Sequence, residues 1–132
     1  MIFVDSSVWI NYFNGVVTPE TEYLDSLLGV EQVAIGDLVL MEVLQGFRQQ
    51  RHFERAKELL LELEVYELLG TARAIKAAEH YRELRRKGIT VRKSNDIIIG
   101  SFCIETSTPL LFSDRDFDQM QKYLGLKNAL PS

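Results

Sequence analysis

The chain reads as an α/β protein with a mainly parallel sheet. Three observations point there. Short apolar runs suited to buried strands, such as Ile2-Phe3-Val4 and residues 109–112, alternate with longer segments of helical periodicity. Helix start and stop signals fall between these runs. Two aspartates, Asp5 and Asp114, directly follow strand-like segments. In parallel sheets the carboxyl ends of strands are where ligands gather.

The elements follow in order. Residues 2–4 form a short buried strand that Asp5 ends. Ser6 or Ser7 is expected to cap a helix running to about residue 13, where Asn14-Gly15 stops it. Thr18-Pro19-Glu20 combines a capping hydroxyl, a proline at the first helical position and an acid in the first turn. The helix it opens carries Tyr23, Leu24, Leu27 and Leu28 on one face and ends near Gly29. Residues 32–35 form a second strand. Asp37 is placed to cap a helix over 38–47 that contains Glu42. Residues 51–63 are amphipathic, with Phe53, Ala56, Leu59, Leu60 and Leu63 at helical spacing. Residues 65–69 are expected as a third strand. A long helix over 71–87 turns Ala74, Ala77, Ala78, Tyr81 and Leu84 inward and stops at Gly88. Ser94-Asn95-Asp96 opens a helix over 97–105. Residues 109–112 are the fourth strand, Asp116-Phe117 starts a last short helix, and 126–130 read as an edge strand.

With 132 residues and no repeats, linkers or low-complexity segments, residues 1–132 are expected to form one domain. An apolar fraction of 46% and a charged fraction of 26% suit a soluble globular protein. No apolar run is long enough to cross a bilayer. Four apolar residues before Asp5, without a basic lead, do not make a signal peptide, so a cytoplasmic location is expected. The lone Cys103, within IIIGSFCI, reads as a buried free thiol.

The net charge of −4 speaks weakly against nucleic acid, but its distribution is uneven. Residues 82–93, RELRRKGITVRK, hold six basic side chains against Glu83 alone, a local charge of +5. Basic residues at a helix end also complement the macrodipole, so the charges alone fit either a solvated helix end or an anion-binding surface.

Four acids stand isolated among uncharged neighbours. Asp5 is the only charged side chain from Met1 to Pro19, and Glu42 the only one from Leu38 to Phe47. Asp96 is alone between Lys93 and Glu105, and Asp114 follows the run Pro109 to Ser113. Burying an ionised carboxylate is costly unless it has a partner, and a shared hard divalent cation is the simplest partner for four of them. Each also has a local reading. Asp5 or Asp96 can cap its helix, Asp114 can serve a turn, and Glu42 can face solvent. Four carboxylates in one pocket would repel and raise their pKa values. Mg²⁺ or Mn²⁺ would neutralise them, and such centres suit phosphodiester hydrolysis. Neither His52 nor His80 has the company zinc needs. No phosphate-binding glycine loop and no hydrolytic triad is visible.

The segments IFVDSSVWI, LVLMEVLQG, SNDIIIGSFCIE and LLFSDRDF resemble, in order and over nearly the whole chain, the PIN-domain ribonucleases, most closely the VapC-type toxins. The resemblance implies an α/β/α sandwich with a mainly parallel central sheet of four to five strands. It implies Mg²⁺- or Mn²⁺-dependent cleavage of an RNA substrate, a homodimer and a cognate VapB-type antitoxin. Asp5, Glu42 and Asp96 match the family's three most constant acids, and Asp114 matches the more variable fourth. Asp116 could share or replace that fourth role. On this reading Asp5, Asp96 and Asp114 hold the metal, and Glu42 positions or deprotonates water. Ser6 and Ser113 support the carboxylates from behind. Arg85, Arg86, Arg92 and Lys93 are expected to guide the RNA backbone. Tyr12, Phe13, Phe47 and Phe53 are candidates for an antitoxin groove, although such residues are more often core.

Three other readings share parts of this pattern: a PIN ribonuclease of housekeeping RNA processing, a receiver-like signalling domain, and a catalytically dead acidic-pocket module. A receiver would need a lysine after a late strand, where this chain has Arg115.

Overall fold

Four short parallel strands form one sheet in the order β3-β2-β1-β4. They are β1 (Ile2–Val4), β2 (Val33–Gly36), β3 (Glu64–Tyr66) and β4 (Leu110–Leu111). Seven helices flank them: α1 (Ser6–Phe13), α2 (Pro19–Leu27), α3 (Asp37–Gln45), α4 (Gln50–Leu61), α5 (Thr71–Arg86), α6 (Ser94–Glu105) and α7 (Arg115–Leu124). The structure is a computed structural model and describes all 132 residues. No helix is long and apolar enough to cross a membrane.

The order of the strands positions everything that follows. From β1 the chain moves outward to β2 and β3, then returns to lay β4 on the other side of β1. Right-handed crossovers therefore put α1–α4 on one face and α5–α7 on the other. The helix contacts agree: α1 packs on α2 and α3, and α3 on α4, while α5, α6 and α7 pack on one another. The reversal of winding makes the carboxyl ends of β1 and β4 the topological switch point, where open α/β sheets take their ligands. Phe3 pairs with Leu110 and Val4 with Leu111, which brings Asp5 and the residues after Leu111 to one edge.

The core is built from the strands and the inward helix faces. Val4, Val8, Trp9, Leu24, Ile35, Leu60, Leu84, Ile99, Leu110, Leu111 and Phe117 are all at most 1% exposed. Cys103 is buried there too and unpaired. Gly100, on α6, allows close approach of α7, since a Cβ there would overlap the Met120 sulfur.

Several expectations need correction. Asp5, rather than Ser6 or Ser7, caps α1. Thr18 caps α2 as expected, and Thr21 returns the hydrogen bond to complete a capping box. Asp37 is the first residue of α3 and not its cap; its carboxylate accepts from the Leu38 and Leu68 amides. That anchor turns the chain early, so the third strand is only Glu64–Tyr66, and Leu68 folds in over Gly36. On α5, Ala74 and Ala78 face solvent, while Ala77, His80 and Leu84 are the buried residues. His80 can be buried because its Nδ1 lies 2.7 Å from the Ser101 hydroxyl of α6, which satisfies it. Helix α6 begins at Ser94, with Lys93 at its cap position. Residues 126–130 form no strand: only one parallel bridge, Leu110 to Asn128, joins them to the sheet. A two-residue β4 offers nothing more to pair with.

Candidate active site

The switch point between β1 and β4 is where the isolated acids meet. Asp5 follows β1, and its amide donates to Leu111 O of β4 at 2.9 Å. As the α1 cap, its Oδ2 accepts from the Ser7 amide at 3.3 Å and from Ser7 Oγ at 2.8 Å. The other oxygen, Oδ1, is buried without a partner. Ser7 Oγ lies 3.2 Å from Ser113 Oγ, so the two hydroxyls tie the ends of β1 and β4 together behind the carboxylate. One oxygen of Asp5 thus caps α1 while the other has no partner.

Asp96 lies in the first turn of α6, 4% exposed, with Oδ2 unpartnered. Glu42 projects from the middle of α3; it is half-buried, and its Oε1 has no partner. Asp114 caps α7 by accepting from the Asp116 amide at 3.0 Å. Asp96, Asp114 and Asp116 each offer an oxygen, and these three atoms lie within 4.8 Å of one another. Asp5 stands outside that triple but close enough for its charge to act on both Asp96 and Glu42.

Electrostatics reflect this crowding. Burial is the main cause that raises the pKa of Asp5, with Asp114 adding to it. Asp96 is pushed up to about 7, first by burial, then by the charges of Asp5 and Asp114. Glu42 is raised by burial and by Asp5, against the opposing pull of Asn95, Ser6 and Lys93. Unpartnered oxygens on three buried or half-buried acids are what a bound cation would satisfy. An all-oxygen carboxylate set suits Mg²⁺ or Mn²⁺ better than zinc.

The sequence-derived residues fall into groups. Asp5, Glu42, Asp96, Asp114 and Asp116 come together. Ser113 is beside Asp5 through Ser7, whereas Ser6 lies toward Glu42. Ser7 and Asn95 were missed, although a hydroxyl two residues after a capping Asp is placed to donate to it. Lys93 reaches the site, with Nζ 4.0 Å from Asp114 Oδ2. Arg85, Arg86 and Arg92 are exposed and make no ion pair with the acids. Arg85 lies over the Tyr81 ring at 5.6 Å.

Comparison with known proteins bears on the family and the fold. The PIN domain family pattern matches residues 2–123. A VapC ribonuclease, Mb1587 of Mycobacterium bovis, is 28% identical over 131 residues, covering 98% of each chain. Among solved structures, VapBC2 from Rickettsia felis, bound to a DNA fragment from its promoter, superposes with a TM-score of 0.76 at 20% identity, over 97% of both chains. A toxin-antitoxin complex from Klebsiella pneumoniae gives a TM-score of 0.73 at 17% identity, over 96% of this chain and 95% of that one.

Proposed function

The chain belongs to the PIN domain family, and from that premise we propose that it is a metal-dependent endoribonuclease acting as the toxin of a toxin–antitoxin pair. The observation that carries the reading is the acid cluster at the switch point, with unpartnered oxygens on Asp5, Glu42 and Asp96. Asp5, Asp96 and Asp114 would hold Mg²⁺ or Mn²⁺, and Asp116, within reach of Asp96 and Asp114, would share the fourth position. The bound ion supplies charge neutralisation for a phosphate and a lowered pKa for water. Glu42, on the opposite helical layer, orients the attacking water or takes its proton. Ser7 and Ser113 hold Asp5 in one rotamer, and Asn95 and Ser6 restrain Glu42.

Residues 85–93 bring positive charge to the rim and end in Lys93 beside Asp114. That placement suits a polyanion approaching an acidic centre that would otherwise repel it. RNA is the proposed substrate. The names of the relatives favour a toxin over housekeeping processing, with a VapB-type protein as antitoxin; the cytoplasm is the proposed compartment. A cavity of about 390 Å³ lined by Phe13, Phe47, His52, Arg55 and Leu59 is the proposed seat for an antitoxin segment. A homodimer belongs to the same reading.

The test is cleavage of a total-RNA pool by purified chain in Mg²⁺ or Mn²⁺, in chelator, and by Asp96→Asn. Metal-dependent cutting that disappears in the variant is expected. Cutting that persists in chelator, or undiminished in Asp96→Asn, would remove the metal mechanism.

A further inference from the structure

Lys93 is the one basic side chain that pairs with an acid of the cluster, its Nζ 4.0 Å from Asp114 Oδ2. Its backbone is fixed on both sides. Val91, two residues earlier, is 5% exposed, and Lys93 O accepts from the Asp96 amide at 3.1 Å. The side chain itself is 68% exposed, so the ammonium is open to an incoming anion. Its charge also reaches across the site. Burial raises the pKa of both Glu42 and Asp96, and Lys93 pulls against that rise at each.

Partners are distributed unevenly among the acids. Asp114 is served twice: Oδ1 accepts from the Asp116 amide at 3.0 Å, and Oδ2 faces Lys93. Asp5 Oδ1, Glu42 Oε1 and Asp96 Oδ2 have no hydrogen-bond partner. The chain thus brings its own cation to the Asp114 side and none to the side of Asp5, Glu42 and Asp96. Two-ion phosphodiester centres set their cations about 3.5–4 Å apart, on either side of the phosphate. One cation missing and one supplied by the chain is the pattern of such a centre with a lysine in one of its two places. An ammonium is a compact charge with three donors, suited to a phosphate oxygen, but it cannot ionise water as a metal does. Lys93 therefore belongs on the side away from Glu42 and its water.

We propose that Lys93 fills the place of a second divalent ion: the centre takes a single Mg²⁺ or Mn²⁺, and the Lys93 ammonium contacts a non-bridging oxygen of the scissile phosphate. This rests on the ribonuclease reading above and deepens it, making Lys93 a catalytic residue and fixing the ion count. The ammonium repels the ion it accompanies, so removing it eases metal binding and hinders cutting. A residue that only held the site in shape would weaken both when removed.

Mn²⁺ titration of the purified chain without RNA, with the free ion read by electron paramagnetic resonance, tests the count. Wild type is expected to take one ion per chain. Lys93→Gln is expected to hold the first ion about 3- to 30-fold more tightly and to admit a second. Lys93→Arg keeps the charge and is expected to stay at one ion. Arg85→Gln, in the same basic segment but without an ion pair to the acids, is expected to stay within about twofold of wild-type affinity. RNA cutting by wild type is expected to rise with the first power of Mg²⁺ concentration below saturation. Cutting by Lys93→Gln is expected to fall about 100-fold, in kcat more than in KM. Two Mn²⁺ per wild-type chain, an affinity that Lys93→Gln leaves unchanged or lowers, or undiminished cutting by that variant would overturn the proposal and leave the ribonuclease reading standing. Wild-type chain that binds one Mn²⁺ and cuts no RNA would overturn the ribonuclease reading and, with it, the catalytic role of Lys93.

Discussion

Asp96 sits where a helix dipole favours an anion, yet its carboxyl is pushed up to about 7 because burial and the charges of Asp5 and Asp114 outweigh the dipole. The folded pKa exceeds the ordinary 3.8, so the folded state binds the proton more tightly than the unfolded one. Without metal, ionised Asp96 costs stability; the cost begins as pH rises past 3.8 and is complete above about 7. Metal-free Asp96→Asn is therefore expected to melt several degrees above wild type at pH 8 and to lose that advantage toward pH 4. A variant less stable than wild type at pH 8 in chelator would contradict the crowding described for this site. Ser7 is the second residue of interest. Removing its hydroxyl frees the Asp5 rotamer and leaves Oδ2 short of a donor. Ser7→Ala is expected to lower Mn²⁺ affinity about 10- to 100-fold, read by titration, with the fold retained. Ser6→Ala, whose hydroxyl lies toward Glu42, is expected to change Mn²⁺ affinity less. The sequence offered both serines and could not rank them, because the choice depends on which hydroxyl the first turn of α1 directs at Asp5.

Helix α6 is the element that joins the site to the core. Its first turn holds Asp96, and further along Ser101 receives His80 from α5. Ser101→Ala leaves the imidazole nitrogen without a partner in a buried place and is expected to cost about 1–3 kcal/mol in denaturant unfolding. His80 also adds a pH dependence. Its pKa is lowered from 6.5, mainly by burial and then by Lys76, while Glu105, Glu83 and Glu79 oppose. The unfolded state then takes the proton first, so this contribution is present above about 6.5 and lost as pH falls below it. Most helices were legible in the sequence because caps, stops and apolar spacing are local signals: Thr18-Pro19 opens α2, and Gly88 follows α5. The inward face of α5 was not. Alanines tolerate either side of a helix, and His80 became core only because Ser101 stands opposite. The third strand was overestimated for a similar reason: its end is set by the Asp37 carboxylate, which lies 31 residues earlier than Leu68.

At the scale of the molecule, metal binding and folding should be linked, because the carboxylates are gathered only in the folded chain. Ion present at about 100 times its Kd would add about 2.7 kcal/mol. Thermal unfolding with and without Mn²⁺ checks this, and Asp96→Asn should lose most of the shift. An equal shift in both proteins would mean that the ion binds elsewhere.

The sequence by itself determined the α/β class, most element positions and the identity of the acids, since periodicity, capping and isolated charge can be read within a few residues. The tertiary structure decided that β4 returns beside β1, and with that the convergence of Asp5, Asp96, Asp114 and Asp116, the role of Ser7 over Ser6 at Asp5, and the meeting of Lys93 with Asp114. Strand order is a pairing between segments about a hundred residues apart, and hydrophobic alternation within one strand says nothing about which neighbour it will take.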